Sequence, residues 1–337
     1  MLDNRWTRWA AAKVEDDHNR LLGSRATMRL ARAFNSVKNR RCVRFREGQR
    51  LRLEELVREN GAPRVPIVEM RDGWVIDTSR SLPHLDRMVA DAQEIIAERA
   101  GAVRGGGSRE FFQQIVTDAH IARYPSILDF ATSSDVLLPA IRYLGFIPAL
   151  STAKPLGVRL AESDQRFVPD WDGKYRASQL FHCDYHDTPM VYVIVCLRDV
   201  TRESGPFSFL PISASDRARA ALGYHRRGVP YRMSDDEVFS AVDRKELVEF
   251  AYPAGTVLFL DSSRCFHYGS RDCVKPRYLM MYAYVSVRRT DFTDLLRRES
   301  DRPLVDPETR DRRMRYPVKP GDSLLRRMVL DRELPAP

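Results

Sequence analysis

Cysteine is scarce in this sequence, and long apolar runs are absent. The five cysteines stand singly, with no Cys-x-x-Cys pair, so neither a disulfide framework nor a thiolate zinc site is indicated. The longest apolar runs, Met190–Leu197 and Tyr278–Val285, are eight residues each, whereas a membrane-spanning helix needs about 20. The start, MLDNRWTRWAAAKVEDD, lacks the uninterrupted apolar core of a secretory signal. We therefore expect a cytoplasmic protein with reduced thiols.

An even spread of charge is also missing. The net charge of +9 comes from the two ends, because residues 1–60 hold 15 Lys and Arg against 8 Asp and Glu, and residues 288–337 hold 13 against 10. The long middle of the chain is close to neutral. This division predicts a basic helical extension over residues 1–64, one domain over 65–290 and a basic helical tail over 291–337. Because the excess of positive charge is confined to the ends, we expect no nucleic-acid partner.

The segment SRATMRLARAFNSV, residues 24–37, has the pattern of a basic amphipathic helix. Its apolar residues recur at spacings of three and four beside a stripe of arginines: Leu22, Ala26, Leu30, Phe34 and Val37, with Arg25, Arg29 and Arg32. Such a helix either packs on the protein's own core with a solvated basic face or lies on an anionic membrane surface or a partner. The first interpretation is favoured because docked helices are commoner. The second is the hypothesis of peripheral association with the inner face of a membrane.

Short strand-like segments dominate the sequence after residue 150. They are separated by Gly, Pro and Asp, and they read GVRLAE, YRASQLFHCD, PMVYVIVCLRD, PFSFLP, LVEFAYP, GTVLFLD and RYLMMYAYVSVRR. Helical patterns precede them, notably SLPHLDRMVADAQEIIAERAG from residue 81. Many short strands with turn residues between them predict an antiparallel barrel or jelly roll.

The His-x-Asp pattern of metal-binding proteins occurs twice, at His84-Leu85-Asp86 and at His182-Cys183-Asp184. The first triplet lies in a predicted helix, where residues two apart point in nearly opposite directions. The second ends a predicted strand, where residues two apart project from the same face. Only the second pair is therefore expected to share a metal ion.

A third ligand has to come from elsewhere, and two histidines are candidates. His267 lies in the loop SSRCFHYGS between two predicted strands, and it would complete the two-histidine, one-carboxylate set of a non-haem Fe(II) site. His186 continues the alternation of the first two ligands and would give a zinc cluster. His267 is favoured, because ligands drawn from a single strand surround an ion poorly.

Arg277 stands at the start of a predicted apolar strand, ten residues after His267. A buried guanidinium needs an anionic partner, and its planar fork suits a carboxylate held by two hydrogen bonds. That partner is either a bound carboxylate ligand or a nearby acidic side chain such as Asp261 or Asp272.

Together these residues resemble the phytanoyl-CoA dioxygenase family of Fe(II)- and 2-oxoglutarate-dependent oxygenases. The matching segments are QLFHCD, LRDVTRESGPFSFLP, PAGTVLFLDSSRCFHYGS and the following Arg277, and DGWVIDTSRSLPHLDRMVADAQEII resembles the family's first strand and helix. The resemblance covers residues 70–290. It implies a mainly β fold with flanking α-helices and a double-stranded β-helix core of the jelly-roll or cupin type.

The resemblance also implies the cofactors and the residues that bind them. Fe(II) would be held by His182, Asp184 and His267. The co-substrates would be O2 and 2-oxoglutarate, whose distal carboxylate would bind Arg277. Further polar groups at the co-substrate site would be Arg159, Ser270 and Gln179. Aromatic residues at the expected mouth of the pocket are Trp171, Tyr175, Phe207 and Tyr268.

The implied reaction is hydroxylation of a small-molecule or lipid- or carrier-linked substrate, with release of succinate and CO2. Asp184 favours plain oxidation, because relatives that transfer halide lack this carboxylate. The basic ends favour an anionic substrate. Two alternatives stay open: a non-catalytic binding protein on the same barrel, recruited to an anionic surface, and a cupin-like zinc enzyme that uses His182, Asp184 and His186. The oligomeric state is not indicated.

Overall fold

The structure is a computed structural model that describes residues 23–99, 111–153, 155–165, 168, 172–292 and 315–334. Its helices are α1 (Ser24–Lys38), α2 (Arg40–Arg50), α3 (Leu53–Glu59), α4 (Leu85–Glu98), α5 (Asp118–Arg123), α6 (Ser126–Thr132), α7 (Ser134–Leu144), α8 (Ile212–Leu222), α9 (Asp235–Phe239) and α10 (Leu324–Leu330). Its strands are β1 (Trp74–Asp77), β2 (Phe112–Gln114), β3 (Ala149–Leu150), β4 (Val158–Ser163), β5 (Val191–Cys196), β6 (Phe207–Phe209), β7 (Val248–Phe250), β8 (Val257–Leu260), β9 (His267–Tyr268) and β10 (Arg277–Val285).

The strands form two antiparallel sheets. The large sheet has the order β1-β8-β5-β10-β4-β2, with β3 also paired to β10, and the small sheet has the order β7-β6-β9. At the centre of the large sheet, Met280 of β10 lies opposite Val195 of β5 and Leu160 of β4. Strands that are neighbours in space are thus distant in sequence, as expected of a jelly roll.

Both faces of the large sheet are buried, which explains the two longest apolar runs of the sequence. Alternate residues of β5, beginning at Val191, pack with the helices α4, α6 and α7 in one core. The residues between them, beginning at Tyr192, pack against Phe207 and Phe209 of the small sheet in a second core. Because both faces need apolar side chains, the strand shows no polar alternation. Two antiparallel sheets packed face to face and covered by helices confirm the predicted double-stranded β-helix fold.

Helix α1 is present as predicted, but the prediction of which face of it is buried is wrong. The face that packs on the barrel consists of Ser24, Thr27, Ala31 and Asn35. Leu30 and Val37, of the predicted apolar face, are 54% and 58% exposed. The reason is that α1 docks on backbone carbonyls and a carboxylate, so hydrogen bonding outweighs apolar burial.

Three contacts show how α1 is held. The Asn35 amide donates to the carbonyls of Arg289 and Asp291, both at 2.9 Å. The Arg32 guanidinium lies 3.0 Å from a carboxylate oxygen of the buried Asp187. The first of the two interpretations, docking on the chain's own core, therefore describes this helix, with the correction that its polar face makes the contact.

The other terminal helices pack on the same core as the strands. Arg46 of α2 is buried and donates to the carbonyls of Ile147, Pro148, Met328 and Asp331. Leu325 and Met328 of α10 lie in the core that contains α3 and β5. None of the helices in the described ranges is both long enough and apolar enough to cross a membrane.

Candidate metal centre

The backbone brings His182, Asp184 and His267 together at one edge of the small sheet. His182 and His267 form an antiparallel bridge in which each amide donates to the other's carbonyl, at 3.1 and 3.0 Å. The Asp184 amide donates to the carbonyl of Ser262 at 2.8 Å, which fixes the carboxylate beside them. Side-chain donor atoms of the three residues all lie within 4.8 Å of one another.

The two imidazoles are oriented in the same way. Nδ1 of His182 lies 2.8 Å from the carbonyl oxygen of Leu180, and Nδ1 of His267 lies 3.0 Å from that of Cys265. Since a carbonyl only accepts, each Nδ1 carries the proton and each Nε2 keeps its lone pair for a metal. The ring of Phe207 stacks on His267 at 5.3 Å between centroids and limits its rotation.

Burial and charge hold these groups in their metal-binding forms. Burial and the neighbouring His267 lower the pKa of His182 to about 3, so this imidazole is neutral at physiological pH. Burial alone would raise the pKa of Asp184, but its electrostatic interactions with His267, His182 and His186 outweigh burial and keep that pKa below its ordinary value. Neutral imidazole and ionised carboxylate are the forms that coordinate a divalent cation.

The donor set fits Fe(II). Two imidazole nitrogens and one carboxylate oxygen are the protein ligands of the facial triad, which leaves positions for exchangeable ligands. His186 does not join this cluster, because its Nδ1 lies 2.8 Å from Asp291. Among the described residues, only His182, Asp184 and His267 bring three potential ligand atoms close enough together to hold one ion. The ligand set of the zinc alternative is therefore not assembled.

Arg277 lines the same cavity as His182, Asp184 and His267, and the residue is 3% exposed. Nη2 donates to the hydroxyls of Ser163 and Ser270 at 3.0 and 2.9 Å, Nη1 donates to the carbonyl of Gly205, and Nε has no partner among the described residues. Burial lowers the pKa of Arg277. Within the described ranges, no carboxylate lies within salt-bridge distance of this guanidinium.

The two acidic side chains considered as partners of Arg277 bind elsewhere. Asp261 accepts from the Tyr143 hydroxyl at 2.6 Å and from Ser263, and Asp272 accepts from the Tyr175 hydroxyl at 2.7 Å. A buried cation without an acidic partner is costly unless a ligand supplies the anion. Arg277 is therefore suited to bind a carboxylate ligand.

The cavity between the triad and Arg277 has a volume of about 140 Å³. Ser270 and Arg159 also line it, and the Arg159 guanidinium lies 5.6 Å from the Phe112 ring. Gln179 does not line it. Its amide instead donates to the carbonyl of Ser270 at 2.7 Å, so it supports the loop that carries that serine.

Of the predicted mouth aromatics, only Phe207 lines the cavity in the described part of the chain. The Arg271 guanidinium lies 4.4 Å from the centre of the Tyr175 ring and 3.4 Å from that of the Tyr268 ring, and Trp171 lies outside the described residues. Several residues of the cavity wall were not predicted from the sequence: Ser178, Tyr185, Tyr192, Tyr231 and Arg232. The one indication in the sequence that any of these residues lines the cavity is that Tyr185 directly follows Asp184.

No protein-family model and no curated protein matches the sequence. Solved structures give partial likenesses. The epimerase SnoN in complex with Fe3+, alpha ketoglutarate and nogalamycin RO has 17% identity, with 78% of this chain and 96% of that chain covered and a TM-score of 0.42. The alpha ketoglutarate dependent carbocyclase SnoK from nogalamycin biosynthesis has 18% identity, coverage of 68% and 82%, and a TM-score of 0.41. EctD from S. alaskensis with 2-oxoglutarate and 5-hydroxyectoine has 15% identity, coverage of 64% and 72%, and a TM-score of 0.39.

Proposed function

We propose that the protein is an Fe(II)- and 2-oxoglutarate-dependent oxygenase. The observation that carries this proposal is that one cavity holds both a His-Asp-His cluster and a buried arginine without an acidic partner among the described residues. The cluster suits Fe(II), and the arginine suits one end of a dicarboxylate. 2-Oxoglutarate meets both requirements, because its keto acid end can bind a metal while its distal carboxylate binds a guanidinium.

His182, Asp184 and His267 would hold the iron. Bound Fe(II) supplies the O2 and one-electron chemistry that side chains lack. The hydrogen bonds from Nδ1 to the Leu180 and Cys265 carbonyls hold both imidazoles with Nε2 free for the metal, so the ligands need little reorganisation on binding.

Arg277 would bind the distal carboxylate of 2-oxoglutarate. Ser163 and Ser270 accept from Nη2 and thereby fix the plane of the guanidinium, which decides the direction in which it can donate. Phe207, Leu279 and Met281 form an apolar part of the wall and limit the access of water to the reacting groups.

The proposed reaction is hydroxylation. One oxygen atom of O2 enters a C–H bond of the substrate to give C–OH, and the other enters succinate as 2-oxoglutarate loses CO2. The presence of Asp184 supports hydroxylation over halide transfer, because the carboxylate takes the position that a halide would need. The substrate proposed is a small molecule or a lipid- or carrier-linked group.

Succinate formation without added substrate tests this proposal. The purified protein, loaded with Fe(II) anaerobically and then given O2 and 2-oxoglutarate, is expected to release succinate slowly. Asp184→Ala should lose this activity, whereas Asp86→Ala, changed in the other His-x-Asp triplet, should keep it. Equal succinate formation by wild type and Asp184→Ala, or a tightly held zinc ion with no response to 2-oxoglutarate, would overturn the proposal.

A further inference from the structure

A second cavity lies beside the metal centre, under helix α1. Its volume is about 300 Å³, and Asp184, Tyr185 and Tyr231 line both this cleft and the cavity of the triad. The rings of Tyr185 and Tyr231 meet edge to face at 5.3 Å between centroids. The boundary between the two spaces is therefore made of one metal-ligand carboxylate and an aromatic pair.

Helix α1 forms one wall of the cleft and is anchored on both sides of it. At its start, Ser24 Oγ lies 2.7 Å from Nδ1 of His225, and a Cβ on Gly23 would stand 2.4 Å from the His225 carbonyl oxygen, so only glycine allows this close approach. Further along, Arg32 pairs with Asp187. Between these anchors, Arg25 and Met28 line the cleft.

The cleft is electrostatically positive. Arg219 forms an ion pair with Asp216, and Arg264 lies 3.8 Å from the other oxygen of the same carboxylate. Arg25 has no carboxylate within salt-bridge distance in the part of the chain that the structure describes. Apart from Asp184, the lining thus offers three guanidinium groups against one carboxylate.

The surroundings of His225 are also electrostatically positive. Burial, together with the positive charges of Arg219 and Arg25, lowers the pKa of this imidazole to about 4, although Asp216 acts in the opposite direction. The remaining wall is mostly apolar or aromatic, with Met28 and the fully buried Tyr224 facing the cleft. A ligand that suits both features carries a negative charge on an apolar body.

We propose that the cleft under α1 binds the substrate, and that this substrate is an amphiphilic anion whose phosphate or carboxylate group lies against Arg25. Its apolar body extends past Tyr185 and Tyr231 toward the triad. The assignment as substrate rests on the proposed function, whereas the anion site itself needs no metal. In this proposal, the basic residues of α1 bind a ligand at the barrel.

Binding of a simple amphiphilic anion tests the site. Isothermal titration calorimetry of the full chain with octyl phosphate and with nonanoate, each compared with 1-octanol, measures what the charge adds and which anion is preferred. We expect at least one anion to bind about tenfold more tightly than the alcohol, as one charge-assisted contact provides. Arg25→Met should remove that difference. Arg29→Met, one turn along the same helix, is the matched control and should keep it.

The outcomes separate the site from the proposed function. Equal affinity for anions and alcohol, or an anion preference that survives in Arg25→Met, overturns the anion site. An anion that binds only after Fe(II) is added, and equally well to Arg25→Met, lies on the metal and also overturns it. Succinate formation by the same preparation, measured without octyl phosphate, reports on the oxygenase assignment alone, so loss of one result does not imply loss of the other.

Discussion

The two His-x-Asp triplets of this chain carry the same side chains on different backbones. His84 has a left-handed conformation with φ of 64° and precedes helix α4, and Asp86 in its first turn bonds to the exposed Arg80 at 2.7 Å. The Asp86 side chain is 72% exposed, whereas that of Asp184 is 16% exposed. In the second triplet the chain is extended and His182 is bridged to His267.

The difference shows that spacing alone does not bring three potential metal ligands together. At Asp86 a surface arginine already pairs with the carboxylate. At Asp184 the extended backbone places both side chains on one face, and a partner strand adds a third donor. The first region also supplies matched control residues, because it has its own histidine, arginine and serine: His84, Arg80 and Ser79.

The largest expected effect follows from removing a ligand histidine. His182→Ala should abolish the charge-transfer absorption that Fe(II) and 2-oxoglutarate produce together under anaerobic conditions, because the triad loses one of its three donors. His84→Ala should leave the band unchanged. A band of equal intensity in both variants would remove the distinction between the two triplets.

Arg277→Met should weaken 2-oxoglutarate binding by roughly 30- to 1,000-fold, which corresponds to about 2–4 kcal/mol for a buried charge-assisted pair. Iron binding should change little, since Arg277 contacts no triad residue by hydrogen bond in the described chain. Arg80→Met is the control and should leave both affinities unchanged. Titration of the absorption band with 2-oxoglutarate measures the effect, and an unchanged affinity in Arg277→Met would contradict the assigned role.

A third effect concerns the docked helix α1, which lines the cleft beside Asp184 of the second triplet. Asn35→Ala leaves the carbonyls of Arg289 and Asp291 without their buried donor, so the free energy of unfolding should fall by about 1–3 kcal/mol. Val37→Ala, on the exposed face of the same helix, should change it by less than about 0.5 kcal/mol. Urea denaturation compares the two, and a larger loss in Val37→Ala would mean that the apolar face is the buried one.

The smallest effect is expected at Ser270, which orients Arg277. Ser270→Ala should weaken 2-oxoglutarate binding by about fivefold, because the loss of one hydrogen bond costs about 1 kcal/mol. In an Arg277→Met background the same change should add nothing, because its target is gone. Ser79→Ala, which removes the exposed bond to Ser81, should have no effect on this affinity. Full additivity of the Ser270 and Arg277 changes would show that Ser270 acts independently.

The sequence predicted the elements whose signals are local. The apolar runs around β5 and β10 identified central strands, and the alternation of side chains placed His182 and Asp184 on one face. The buried face of α1 could not be predicted, because it depends on hydrogen bonds from Asn35 and Arg32 to groups more than 150 residues away, which apolar periodicity does not register. Ser163 was missed for a similar reason: its contact with Arg277 follows from the pairing of β4 with β10.

The central claim is that His267, and not His186, completes the metal centre. The measurement that tests it most directly is an anaerobic absorption titration of Fe(II)-loaded protein with 2-oxoglutarate, carried out on wild type, His267→Ala and His186→Ala. We predict the charge-transfer band in wild type and in His186→Ala, with one Fe(II) per chain, and no band in His267→Ala. A full band in His267→Ala together with its loss in His186→Ala would contradict the assignment and place the third ligand at His186.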